Sequence, residues 1–135
     1  MTTDLNMLAW VAAITALMWL PYISALVLKA GLVPALTYQA DDTPLPGWAA
    51  RARKAHYNAI ENLAPFAALV VVAHITGAHN EATAVSAIVY FWARLAHYFL
   101  YMANVPFGRT TMFTIGWLAM ACIFWQIVTK AAGGA

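Results

Sequence analysis

An all-α integral membrane protein, a bundle of four transmembrane helices, is the fold class this sequence predicts, and three observations predict it. Of the 135 residues, 64% are hydrophobic and only 9% are charged, against about a quarter charged in ordinary soluble domains. The apolar residues gather into four runs, each near the roughly 20 helical residues that cross a bilayer core. Apart from Arg94, the cations lie at the ends of those runs. A length of 135 residues suits one domain, 1–135. The net charge of +2 is too small and too scattered to predict a nucleic-acid partner. The single cysteine, Cys122, has no partner for an intrachain disulfide. No metal site is expected.

The first run, LNMLAWVAAITALMWLPYISALVL, carries no charge and predicts a helix at about 5–29. It lacks the basic start and small-residue cleavage site of a signal peptide, so it reads as a retained span. Ala12, Ala13 and Ala16 suit close packing against another helix. The stretch AGLVPALTYQADDTPLPGW, with three prolines and an acidic pair, is the long connection. A second helix at about 47–77 begins after Pro46, since Pro is favoured in a first helical turn. At about 45 Å it is longer than a bilayer needs, so its first turns are expected to project from the membrane, with a kink at Pro65. The third helix, about 81–104, is interrupted by Arg94 and His97, and the fourth, about 108–130, holds an uncharged run at 110–129 between Arg109 and Lys130. The connections GAHNE and NVPFG are short and predict antiparallel neighbours.

Four spans put both termini on one side. Lys29, Arg51, Arg53, Lys54 and Arg109 flank the first and third loops, whereas only Lys130 flanks the other side. The positive-inside rule then makes those two loops cytoplasmic and the termini non-cytoplasmic. Trp48 and Tyr22, near helix ends, read as interfacial anchors; His74 and His79 lie toward the far side and read as uninvolved in chemistry.

The remaining polar residues form stripes. Arg51, Lys54, Asn58 and Glu61 are spaced 3, 4 and 3 apart on one helix face. Tyr90, Arg94, His97, Tyr101 and Asn104 are spaced 4, 3, 4 and 3 on another. Arg109 and Thr110 follow the third loop. An ion pair between Glu61 and Arg94 is the structural reading of two of these, but ionisable groups at membrane depth are costly and point to function. A surplus of cations calls for an anion, Glu61 offers a partner for an ammonium, and Asn58, Tyr101 and Thr110 offer hydrogen bonds. A zwitterionic peptide with two carboxylates and one amine meets that list, and glutathione is one. Its thiol needs a nearby cation to become the reactive thiolate near neutral pH.

At these residues the sequence resembles the MAPEG family, the membrane-associated proteins of eicosanoid and glutathione metabolism, and within it the microsomal glutathione transferases. RARKAHYNAIENLAPF, residues 51–66, is similar to the family's second-helix motif. ARLAHYFLY, residues 93–101, is similar to its third-helix motif, and PFGRT, residues 106–110, to the turn that delivers its catalytic arginine. The resemblance implies a homotrimer with glutathione, the co-substrate, bound between subunits at the cytoplasmic side. It assigns Arg51, Lys54, Asn58, Glu61, His97 and Tyr101 to the glutathione pocket. To these the stripes add Arg94, and a looser likeness adds Lys29. Arg109 would stabilise the thiolate, with Thr110 donating to the same sulfur, and a lipophilic substrate would enter from the lipid. The sequence departs from the family at Lys54, where Arg is common, and at Tyr57 and Phe113, where the prostaglandin-synthase branch has a basic residue and a Tyr.

The implied function is a membrane-bound glutathione transferase or peroxidase acting on lipophilic electrophiles or lipid hydroperoxides. The alternative is a non-catalytic member of the same fold, a scaffold or a subunit of a larger complex. A haem protein using His56, His74 or His97 would need axial ligands facing one another inside the bundle, and His56 lies off the Arg51–Glu61 face.

Overall fold

The first apolar run does not form one helix. In the computed structural model, which describes residues 1–133, it divides into α1, Thr3–Leu17, and α2, Leu20–Ala30. Pro21 is the cause: it has no N–H to return to the Leu17 carbonyl, and its ring crowds that turn. The chain crosses the break with a tightened bond from the Met18 N–H to the Thr15 carbonyl at 3.2 Å. The Met18 carbonyl accepts from the Tyr98 hydroxyl at 2.9 Å. The long connection holds a short helix α3, Leu32–Ala35, and a 3₁₀ turn, Tyr38–Ala40. Lys29 closes this connection, donating from Nζ to the Pro44 carbonyl.

Helix α4 spans Gly47–Ile75, directly after Pro46, and continues through Pro65. It ends where Gly77 takes φ +67°. Ala78 N–H then returns to the Ala73 carbonyl at 2.8 Å and Gly77 N–H to the His74 carbonyl at 3.2 Å, satisfying carbonyls that the helix end leaves open. Helix α5, Glu81–Met102, starts with a capping box between Asn80 and Thr83. It ends in the same way as α4, with Asn104 at φ +62° and Val105 N–H on the Leu100 carbonyl at 2.9 Å. Asn104 therefore ends the helix instead of extending the polar stripe. Helix α6 spans Pro106–Gly133, starting two residues before the expected 108 because Pro106 is itself fit for a first helical turn. Residues 134 and 135 of the expected domain lie outside the described residues.

Side-chain contacts fix the packing. Asp4 meets Thr83 and Met18 meets Tyr98, so α1 runs parallel to α5. Asn58 meets Arg94 and Asn62 meets Tyr90, so α4 runs antiparallel to it. Asn80 meets Gln126 and Arg94 meets Phe113, so α6 is antiparallel too. Three segments, Thr3–Ala30, Gly47–Ile75 and Pro106–Gly133, are long and apolar enough to cross a membrane. Helix α5, packed against α1, α4 and α6, turns its polar groups inward, with Ser86, Arg94 and His97 buried along it. The outer surface is apolar instead: Trp10, Trp92, Trp117, Phe124 and Trp125 are all exposed. Polar groups inside and aromatics outside suit a lipid environment.

Two details set how closely the helices meet. Ala49, Ala52, Ala55 and Ala59 make a buried ridge on α4 that admits neighbouring backbones. On α6, a Cβ at Gly116 would lie 3.4 Å from Arg94 Cδ and 3.8 Å from Ala93 Cβ. An alanine there just fits, whereas a longer side chain forces the helices apart. Gly116→Leu should destabilise the fold by about 1–3 kcal/mol, the usual cost of overpacking, and Gly116→Ala by far less. Thermal melting of the two variants in detergent checks this.

Candidate functional site

One turn of α5 after another brings Arg94, His97 and Tyr101 to the face that meets Asn58 on α4 and the first turns of α6. With Arg109, Thr110 and Phe113, three of these (Asn58, His97 and Tyr101) line a cleft of roughly 200 Å³. The α5–α6 turn determines where Arg109 lies. The left-handed Asn104 reverses the chain, and Pro106 restarts the helix at once. Gly108 lets the new turn sit against the old helix, since a Cβ there would come within 3.2 Å of Leu100. The Arg109 guanidinium comes to rest 4.5 Å above the centre of the Tyr101 ring. A cation over an aromatic face is held there without losing its charge or all its N–H donors.

The His97 ring meets Tyr101 edge-on, with centroids 5.6 Å apart, and tilts against Phe113 at 6.2 Å. Behind the cleft lies Arg94, only 3% exposed. Its guanidinium is 5.6 Å from the Phe113 ring and 5.9 Å from the Tyr90 ring. It donates to the Asn58 side-chain oxygen and, at 3.4 Å, to the Asn58 backbone carbonyl. Its Nε is buried without a partner. Tyr90, stacked on Phe66 at 3.8 Å, donates to the Asn62 carbonyl at 3.0 Å and ties the same two helices one turn deeper. The Thr110 hydroxyl donates to the Pro106 carbonyl at 3.2 Å, so donation to a ligand requires it to rotate.

Thus five of the ten residues singled out from the sequence, Asn58, His97, Tyr101, Arg109 and Thr110, share the cleft, and Arg94 stands behind it. Arg51 lies at the end of α5, where its Nε donates to the Met102 carbonyl at 2.9 Å. That bond places a cation on the open carbonyl end of a helix, where the dipole favours it. Lys54 and Glu61 are exposed on α4 outside the cleft. Arg94 bonds Asn58, so the Glu61–Arg94 ion pair does not form within the single chain. Lys29 is held in the first connection. Tyr22 is not an exposed anchor: it is buried and shares a 2.9 Å hydrogen bond with His56 Nδ1. The three histidines of a haem reading are apart, His56 on Tyr22, His74 stacked on His79, and His97 in the cleft. Among the described residues, no three His, Cys, Asp or Glu gather where they could hold a metal. Gly108 and Gly116 also shape the site; the Pro-Phe-Gly spacing signals the first in the sequence, and nothing there marks the second.

The model of the MAPEG family matches residues 7–129, which include every cleft residue. The chain belongs to the MAPEG family. No curated protein and no solved structure matches it. MAPEG proteins include glutathione transferases and peroxidases as well as non-catalytic members, and their association with the membrane accords with the three apolar helices. Within this MAPEG chain the cleft offers permanent positive charge from Arg109 and hydrogen-bonding groups from Asn58, Tyr101 and Thr110. That set can bind an anion.

The stacked pair makes a direct prediction. Tyr101→Ala removes the ring beneath Arg109 and should speed amide hydrogen exchange over residues 109–112 severalfold. Tyr101→Phe, which keeps the ring, should leave that exchange close to the original rate.

Proposed function

We propose that this chain is a membrane-bound glutathione-dependent transferase or peroxidase that activates the thiol of glutathione against lipophilic electrophiles or lipid hydroperoxides. The observation that carries the reading is Arg109 held over Tyr101 in a cleft that also contains Asn58, His97 and Thr110. A free thiol has a pKa near 8.5 and is mostly protonated at neutral pH; an adjacent guanidinium favours the anion. The first turn of α6 adds its dipole in the same sense. The thiolate then attacks an electrophilic carbon, displacing its leaving group or adding across its activated double bond, or attacks the distal oxygen of a hydroperoxide. The latter attack breaks the O–O bond to give glutathione sulfenic acid and an alkoxide that takes a proton to become the alcohol. A second glutathione then converts the sulfenic acid to glutathione disulfide and water.

In this reading α5 is a fourth span and three subunits assemble around a shared axis. Glutathione binds between neighbours at the cytoplasmic side, and the termini face the other side. The exposed Lys54 and Glu61 on α4 then belong to the pocket's second wall, where Lys54 meets a ligand carboxylate and Glu61 the ligand ammonium. Lys29 and Arg51 add positive charge at the membrane edge. The lipophilic substrate arrives through the lipid-facing aromatic surface.

Glutathione binding to the purified protein in mild detergent, with thiolate absorbance in the ultraviolet, tests the reading. Arg109→Ala should lower turnover by about 10²-fold or more, a loss of a few kcal/mol of transition-state stabilisation. Its activity should recover as pH rises toward the free thiol pKa, because hydroxide then supplies the anion that Arg109 otherwise stabilises. Arg109→Lys should restore part of the loss at neutral pH. Normal turnover and thiolate absorbance in Arg109→Ala would remove this residue from the chemistry. A wild-type protein that binds glutathione without forming thiolate would favour a non-catalytic role.

A second expectation concerns Glu61. Glu61→Gln should weaken glutathione binding by about tenfold or more, roughly the 1.4 kcal/mol of a lost charge-assisted bond. Titration calorimetry reads it directly. Unchanged affinity with a lower melting temperature would instead assign Glu61 to the assembly.

A further inference from the structure

Arg94 is the most deeply buried cation in the bundle, and the way it is satisfied has a consequence at the cleft surface. A guanidinium has only donors, so the atom of the Asn58 side chain that faces it must be the oxygen. A planar amide with its oxygen fixed has its NH₂ turned to the opposite edge. Among the described residues Asn58 Nδ2 has no hydrogen-bond partner, and it is not one of the buried unpartnered atoms. Asn58 itself lines the cleft. The neighbouring amide does not compete, since Asn62 Nδ2 donates to the Asn58 backbone carbonyl at 2.8 Å.

We propose that Arg94 is a positioning residue that fixes the Asn58 amide with its N–H groups toward the cleft, so that this wall accepts a carboxylate or carbonyl oxygen and rejects an ammonium. The inference rests on the glutathione reading and deepens it. Arg109 and Asn58 then form a donor-only floor, and any ammonium of the ligand must be bound elsewhere. Without Arg94 the amide is free to turn over and present its oxygen, and the floor loses its sign. Arg94 does this from behind the cleft, acting through Asn58.

A double-mutant cycle on the full chain in detergent, read by glutathione affinity, tests the coupling. Asn58→Ala and Arg94→Met should each weaken binding by about tenfold. The double variant should bind within about twofold of Asn58→Ala, because Arg94 acts only through the amide it holds. Arg94→Lys, whose ammonium donates to the same oxygen, should bind within about threefold of wild type. Asn58→Asp keeps an acceptor for Arg94, so it should melt no lower than wild type, yet it should lose binding as severely as Asn58→Ala. Should Arg94→Met not fold, Arg94→Gln carries the cycle, since a glutamine accepts either orientation of the amide. Losses that multiply in the double variant, or wild-type affinity in Asn58→Asp, overturn the inference while leaving the glutathione reading intact. A wild-type protein that binds no glutathione overturns both.

Discussion

The Arg94 guanidinium carries a permanent charge into an apolar interior, and three helices are arranged around it. An unpaired ion at that depth costs several kcal/mol, so the surroundings must supply acceptors. Helix α4 gives the Asn58 side chain and carbonyl, and α5 itself gives the face of Tyr90. Helix α6 gives the face of Phe113, and by having no side chain at Gly116 it leaves room for the arginine stem. Asn58 thus serves the interior and the cleft at once. The same contacts that stabilise the buried charge set the width and the polarity of the candidate site.

Much of this was legible in the sequence, because both stripes follow the helical period and the helices obey it. Spacing alone puts Arg94, His97 and Tyr101 on one face, and the short connections imply antiparallel packing, but that Asn58 and not Glu61 meets Arg94 was not legible. The Arg109 position followed from the brevity of the third loop. What was not legible came from competition between local and tertiary bonds. Asn104 continues the stripe arithmetically, but the helix needed a residue tolerant of a left-handed backbone there. Pro21 sat in plain view within an apolar run, yet composition registers hydrophobicity and not missing N–H groups. Tyr22 looked like an anchor because its partner, His56, lies 34 positions away. The reach of Glu61 is a tertiary question that spacing does not address, and within one chain Arg94 bonds Asn58 in its place.

The cleft and the outer face of α4 divide the polar residues between them. Arg109, Tyr101 and Asn58 are gathered inside the single chain, whereas Lys54 and Glu61, like Arg53, face outward on α4. An exposed charge is more comfortable against water or another polar surface than in lipid. In the proposed trimer, a subunit with this division would contribute one wall to its own site and a different wall to a neighbour's. On the proposed trimeric reading, the departure at Lys54 falls on the shared wall and leaves the cleft untouched. It would alter how a ligand carboxylate is held, by a point charge instead of a planar fork, without disturbing the arginine that faces the sulfur.

The two tight turns on either side of α5 bear on how the chain enters the membrane during synthesis. A lone helix carrying Arg94 is a poor insertion substrate, since an arginine near the middle of a span costs about 2.5–3.5 kcal/mol at the translocon. The α4–α5 and α5–α6 connections are each closed by a left-handed residue and a pair of returning backbone bonds. They allow little slack between partners. With α5 as a span, it would leave the translocon already paired with α4, whose Asn58 shelters the charge, and α6 would follow within a few residues of synthesis. On that reading the hairpin, and not the individual helix, would be the unit of insertion, and damage to either turn would appear first as a defect in biogenesis.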